Sequence, residues 1–250
     1  MLRMAVRVGG LVLAAALVAA PASAQIVQAL HLGGGAFVPR GYSGRVDHDV
    51  LVKDLDSLDL TGCRSAEVGS CINQFTSGQV FGEWLVAFGD HVELGAGVGF
   101  YSRGVPSVYR DYVDHAHNDS DIHQELDLRI VPISGVVRFL GMRPGRFQPY
   151  VGAGVAALNY RYTESGSFID FSNPTNFVIF SARYIASGTA VGPVALAGMR
   201  IPIGGDIWGF TMEWRHQWGS ANTGGLSNGF LDDKIDLGGN HVNFGVLVRF

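Results

Sequence analysis

Long apolar runs are what this chain lacks. Beyond its first twenty-odd residues, no uninterrupted stretch approaches the ~20 apolar residues of a membrane-crossing helix, so a helical membrane protein is excluded. Charge is scarce too: Asp, Glu, Lys and Arg make up 16% of the chain, against ~25% in ordinary soluble domains. There is no basic excess, the formal net charge being −4, and no basic stripe, so nucleic acid is not an expected partner. Cysteine is down to two residues, Cys63 and Cys71, both in one polar, Gly-rich segment.

What is present is apolar residues, 47% of the chain, with 35 Gly and 15 Phe. Apolar content without apolar runs implies alternation, the mark of strands. At the N-terminus, Arg3 and Arg7 precede an apolar run from Gly9 to Ala20 and the small-residue site Pro21-Ala22-Ser23-Ala24. That pattern predicts a secretory signal peptide over 1–24 and a mature barrel domain over 25–250. Loss of the two arginines takes the net charge from −4 to −6. Export makes a Cys63–Cys71 disulfide the default expectation.

Period-two segments predict eight strands, at about 28–38, 78–88, 92–102, 124–140, 147–162, 188–203, 207–219 and 240–250. The joints alternate: long at 39–77, 103–123, 163–187 and 220–239, short at Gly89-Asp90-His91, Gly141–Arg146 and Gly204-Gly205-Asp206. An even number of strands with alternating short turns and long loops is the pattern of an antiparallel up-and-down transmembrane β-barrel with four long external loops. Around Pro132 the strand parity is obscure, and a bulge or end effect is expected.

One face of each segment is apolar, as in Val92, Leu94, Ala96, Val98 and Phe100. The other combines Gly with charge: Glu83, Glu93, Arg200, Glu213, Arg215 and Arg249, with Asp127 and Arg129 as further candidates. A charge on a barrel's lipid face costs ~2–4 kcal/mol at the midplane, so these residues are expected inside. An eight-stranded barrel is only just wide enough for side chains to fill. The charges are therefore expected to pair as a lumen plug rather than line a pore. Aromatics near strand ends (Trp208, Trp218, Tyr150, Tyr160, Tyr162, Phe88, Tyr101 and Phe147) are expected to form interfacial girdles.

The last residues, Asn243-Phe244-Gly245-Val246-Leu247-Val248-Arg249-Phe250, resemble the C-terminal assembly signal of outer-membrane proteins, matched at Asn243, Gly245, Val248 and Phe250. The segments Pro149–Val155 and Ile235–Gly239 resemble those of the outer membrane protein beta-barrel domain family, which groups with A-type and W-type barrels. The resemblance implies residence in a Gram-negative outer membrane among its lipid and lipopolysaccharide, and recognition by the barrel-assembly machinery. No segment like the A-type's peptidoglycan-binding domain follows strand eight, so no cell-wall tether is implied.

Two loop constellations hold residue types that can carry chemistry. The run His115-Ala116-His117-Asn118-Asp119-Ser120-Asp121-Ile122-His123 holds metal-ligand types, but nothing fixes a geometry and loops are polar anyway. His216 with Ser220, Asn222 and Glu213 resembles the triad of lipid A deacylases only loosely; their His-x-Ser-Asn spacing is not matched, and residues four apart on a strand lie ~13 Å apart. No catalytic residue, metal or cofactor is therefore expected. The expected function is a non-enzymatic, envelope-structural or surface-interaction barrel whose loops could meet an extracellular ligand. The alternatives are a porin-like passage of small apolar molecules, as in W-type barrels, motivated by Gly95, Gly97, Gly99, Gly152, Gly154 and Gly198, and then a lipid-modifying enzyme.

Overall fold

A computed structural model describes residues 26–61, 63, 71–141, 147–172, 177–203, 205 and 207–250. The expected signal peptide lies outside the described residues. The elements are β1 (Ile26–Pro39), α1 (Val50–Ser57), β2 (Leu58–Leu60), β3 (Ser77–Phe88), β4 (Val92–Asp114), β5 (Ser120–Leu140), β6 (Gln148–Asp170), β7 (Val178–Ile203), β8 (Trp208–Gln217), β9 (Ser220–Asn222), β10 (Lys234–Asp236) and β11 (Gly239–Arg249).

Eight of these strands close into an antiparallel ring in the order β1, β3, β4, β5, β6, β7, β8, β11 and back to β1. Each neighbours the next in sequence, as in an up-and-down barrel, and β1 sutures to β11 from Ala29↔Arg249 to Pro39↔Gly239. β2 adds to the far end of β4, and β9 pairs with β10. The inward glycines let strands approach: a Cβ on Gly154 would stand 2.0 Å from the Gly135 carbonyl oxygen.

Two of the expected long loops are largely strand. β4 and β5 stay paired to Asp114↔Ser120, and β6 and β7 to Asp170↔Val178. The reason lies in what surrounds each face. The sheet's outward face turns polar at Arg129 and Arg161, so the apolar-out period ends there while the backbone pairing continues. Pro132 makes no bulge: Val98↔Ile133 and Tyr101↔Ile130 keep one register, and the shift falls between Val108 and Val113.

Below that polar edge runs an outward apolar band. Val191 is 74% exposed, Ile133 59% and Trp208 53%. The outward positions of 92–100, 131–139 and 149–157 hold no Asp, Glu, Lys or Arg.

The largest core sits at the other end of the barrel from the termini. There α1, residues 72–75 and the 230–237 segment fold into the mouth. Asp49 caps α1 by accepting from Leu51 N at 3.1 Å. The apolar stripe Val50, Leu51 and Leu55 turns inward against Tyr162, Phe230 and Ile235. Arg45 pairs with Asp49 and donates to the Asp236 carbonyl at 2.9 Å, tying the two loop segments together. Cys63 and Cys71 are joined by a disulfide in the first of these segments.

Candidate functional site: a closed lumen and its external mouth

Strand parity brings an arginine to the barrel centre that sequence parity did not assign. Arg138 on β5 is wholly buried and ion-pairs with Glu83 on β3, with Glu213 on β8 at 2.8 Å and with Glu93 on β4 at 3.5 Å. Arg200 on β7 grips Glu93 through two bonds of 2.7 and 3.0 Å. Arg215 reaches Glu213 at 3.0 Å and Glu83 at 3.3 Å. His31 Nδ1 lies 3.4 Å from Glu83, and its Nε2 lies 2.7 Å from Thr211 Oγ1. Tyr150 Oη donates to Glu213 at 3.0 Å, and its ring lies under both Arg138 and Arg200. Three carboxylates and three guanidiniums, drawn from β3, β4, β5, β7 and β8, thus span the lumen. Arg249 stands nearer the terminal end, 3.5 Å from Gln148 Oε1.

Large side chains occupy the space over the lumen glycines. A Cβ on Gly97 would meet Glu83, one on Gly99 would meet Pro132, and one on Gly198 would meet Tyr150. On the external side of the network a cavity of about 30 Å³ remains, room for about one water. On the other side a vestibule of about 600 Å³, lined by Glu93, Arg200 and Arg249, opens toward the termini. The mouth beyond is closed by the apolar plug, where Tyr101 Oη donates to the Phe75 carbonyl.

Several expected placements change. Asp127 and Arg129 share the outward face of β5, since Leu126, Leu128 and Ile130 are the buried residues of that strand. Tyr101, Tyr150, Tyr160 and Tyr162 point inward and are buried, so they are core and not girdle residues. Trp208, Trp218, Phe88 and Phe147 are outward and exposed. On β6 the parity of Tyr150, Tyr160 and Tyr162, opposite to that of Val151, Ala153 and Val155, is the signal that separates them from the girdle.

The loop constellations come apart. His216 faces outward between Trp214 and Trp218 and contacts Asn240 Oδ1 at 2.9 Å, whereas Glu213 points into the lumen. His115 pairs with Asp119 and His117 with Asp114, each at the surface. Among the described residues, the side chains with metal-ligand spacing are instead His48, Asp232 and Asp233, brought together by pairing of distant loops.

No family model and no curated protein matches the chain. Solved structures are similar to it. The N-terminal β-barrel domain of Pseudomonas aeruginosa OprF is 15% identical, with 89% of this chain and 97% of that one covered and a TM-score of 0.40. Neisserial surface protein A is 11% identical, with 90% and 96% covered and a TM-score of 0.44. The outer membrane protein OprG of Pseudomonas aeruginosa is 13% identical, with 91% and 98% covered and a TM-score of 0.44. The likeness is one of fold.

At the rim of the apolar band, Arg129 and Arg161 stand directly opposite each other on β5 and β6. Like charges directly opposite in a sheet repel. Neither has an ion pair or hydrogen bond among the described residues, although Asp127 lies two positions along the same face. Asn159 beside them donates to Thr189 at 3.2 Å, continuing the polar edge onto β7. Tyr162 and Glu164 lie beyond this edge, in the external part of the barrel.

Proposed function

We propose that the chain is an integral β-barrel of the bacterial outer membrane, non-enzymatic, whose lumen is shut and whose work is done by its external surface. The observation that carries this is the Arg138 network across a lumen whose outward face is apolar. In hydrocarbon every backbone polar group needs an internal partner, and a closed ring supplies one. The charges face inward and are paired, so the band can meet lipid without a buried unpaired ion. The facing Arg129 and Arg161 lie at the polar edge of the apolar band, and phosphate of an anionic lipid such as lipopolysaccharide would relieve their repulsion. Neighbouring side chains take the space over Gly95, Gly97, Gly99 and Gly198, which counts against passage of small apolar molecules. Planar-bilayer recording tests the reading. Brief, small events or silence are expected; steady large openings from the wild-type barrel would give the lumen to transport.

A further inference from the structure

A cavity of about 260 Å³ lies in the external mouth, between α1 and the upper parts of β4 to β7. That is near the lower end of the ~300–1,000 Å³ typical of small-molecule sites. Its walls are aromatic. Tyr112, Phe168, Phe180 and Tyr184 line it, with Phe168 set edge-on to Tyr184 at 4.9 Å and tilted to Phe180 at 6.1 Å.

Two carboxyl groups close the inner end, Asp54 from α1 and Glu164 from β6. Both are nine-tenths or more buried, at 3% and 6% exposure. Among the described residues neither has a Lys or Arg partner. Tyr162 Oη donates to Asp54 Oδ2 at 2.7 Å, and Glu164 lies beside Asp54. Glu164 Oε1 is left buried without a hydrogen-bond partner. Burial pushes Asp54 up to about 7 and Glu164 up to about 9, so one proton is held by the pair through mildly alkaline pH and one negative charge remains.

These features point one way. Aromatic faces carry negative potential and attract a cation. A buried acidic pair with a net charge and no cation of its own attracts one as well. A carboxylate at the end of such a cavity accepts N–H donors, which a primary ammonium has and a quaternary ammonium lacks. We propose that the external mouth binds a small primary ammonium on an apolar body, its N–H bonds directed to Asp54 and Glu164 and its body against the aromatic walls. The site needs only the mouth to be accessible and is independent of whether the lumen conducts.

The test uses the full barrel folded in detergent micelles at pH 8, with 2-phenylethylamine as probe and 2-phenylethanol as its uncharged counterpart. Titration is followed by tyrosine chemical shifts and by calorimetry. Saturable amine binding is expected, with the alcohol about tenfold weaker or more. Asp54→Asn removes the charge and should weaken the amine by a similar factor and leave the alcohol unchanged. Phe180→Leu keeps an apolar wall but removes a ring, and should weaken the amine selectively. It reads the cation preference even if Asp54→Asn fails to fold. Equal affinity for amine and alcohol, undiminished amine binding by a folded Asp54→Asn or Phe180→Leu, or no saturable binding, would overturn the proposal. None of these outcomes bears on conductance.

Discussion

Arg138 Nη2 lies 2.8 Å from Glu213 Oε2, and neither side chain is more than 1% exposed. Such a pair is most informative when one partner is removed. Arg138→Met would leave Glu83, Glu93 and Glu213 to share Arg200 and Arg215. A loss of about 3–5 kcal/mol is expected, the usual cost of stranding a buried charge. The comparison is Arg183→Ala, an exposed external residue, which should stay within about 0.5 kcal/mol. Arg110 would be a poor comparison, because it donates to Asp59 and to the carbonyls of Leu55 and Leu58. Urea midpoints from tryptophan fluorescence decide, and equal midpoints for the two variants would refute the stabilising role.

The acidic pair at the mouth makes local stability depend on pH. Asp54 is raised to about 7 and Glu164 to about 9, foremost by burial, with Asp49 and Asp232 adding repulsion at Asp54 and Tyr162 opposing it by hydrogen bonding. The folded mouth therefore holds protons that the unfolded chain gives up near pH 4. Its stabilisation is full below about pH 4 and drains as pH climbs through about 7 to about 9. Limited proteolysis around α1 should accelerate from about pH 6 to about pH 9 in the wild type, and Glu164→Gln should flatten that slope. A wild-type rate that tracks the protease's own pH profile alone would contradict the raised values.

Arg129 and Arg161 face each other at the polar edge, and a phosphate between them would be doubly bonded. Lipopolysaccharide added to the detergent-folded barrel should raise its melting temperature, and Arg129→Ser with Arg161→Ser should abolish most of that rise. Charge-assisted bonds are worth about 1.5–3 kcal/mol each before solvent screening reduces them. For a chain of this size one kcal/mol corresponds to about 2–4 °C. An identical shift in the double variant would place any lipopolysaccharide contact elsewhere.

Phe250 is fixed to β1 and β3. Its N–H donates to the Gln28 carbonyl at 3.0 Å, and its ring meets Trp84 edge-on at 5.5 Å. Deleting it removes contacts made across the β1–β11 suture to β1 and β3 as well as the terminal residue of the resembled assembly signal. The heat-modifiable, folded fraction recovered from outer membranes should fall, and Phe250→Leu should restore part of it. Undiminished folded yield on deletion would remove both roles.

The barrel was legible because one physical rule repeats along the chain. Val92 to Phe100 and Trp208 to Trp214 alternate cleanly, apolar against Gly, Glu or Thr, and the structure keeps those faces. Arg138 was missed because β5 is apolar on both faces, with Leu128, Ile130 and Val136 inside and Val131, Ile133 and Val137 outside. Without contrast there is no parity to read. Asp127 and Arg129 were read inward for the same reason. The pairing of β4 with β5 and of β6 with β7 beyond the band was hidden differently. There water can meet the outer face, so polar residues no longer signal a loop. The mouth cavity joins α1 to four strands through contacts such as Asp54 to Tyr162, 108 residues apart. No local pattern records a meeting of that kind.

The extended β6–β7 hairpin decides what an immune system would see. From Arg161 to Asp170 the pair stays in register and travels about 30 Å along the strand direction past the polar edge. Among the described residues, this side carries a hydrogen-bonded ribbon whose neighbouring residues come from opposite strands, such as Ser165 beside Arg183. Antibodies raised against the folded barrel would bind composite epitopes that no linear peptide reproduces. Boiling the protein before blotting would erase them.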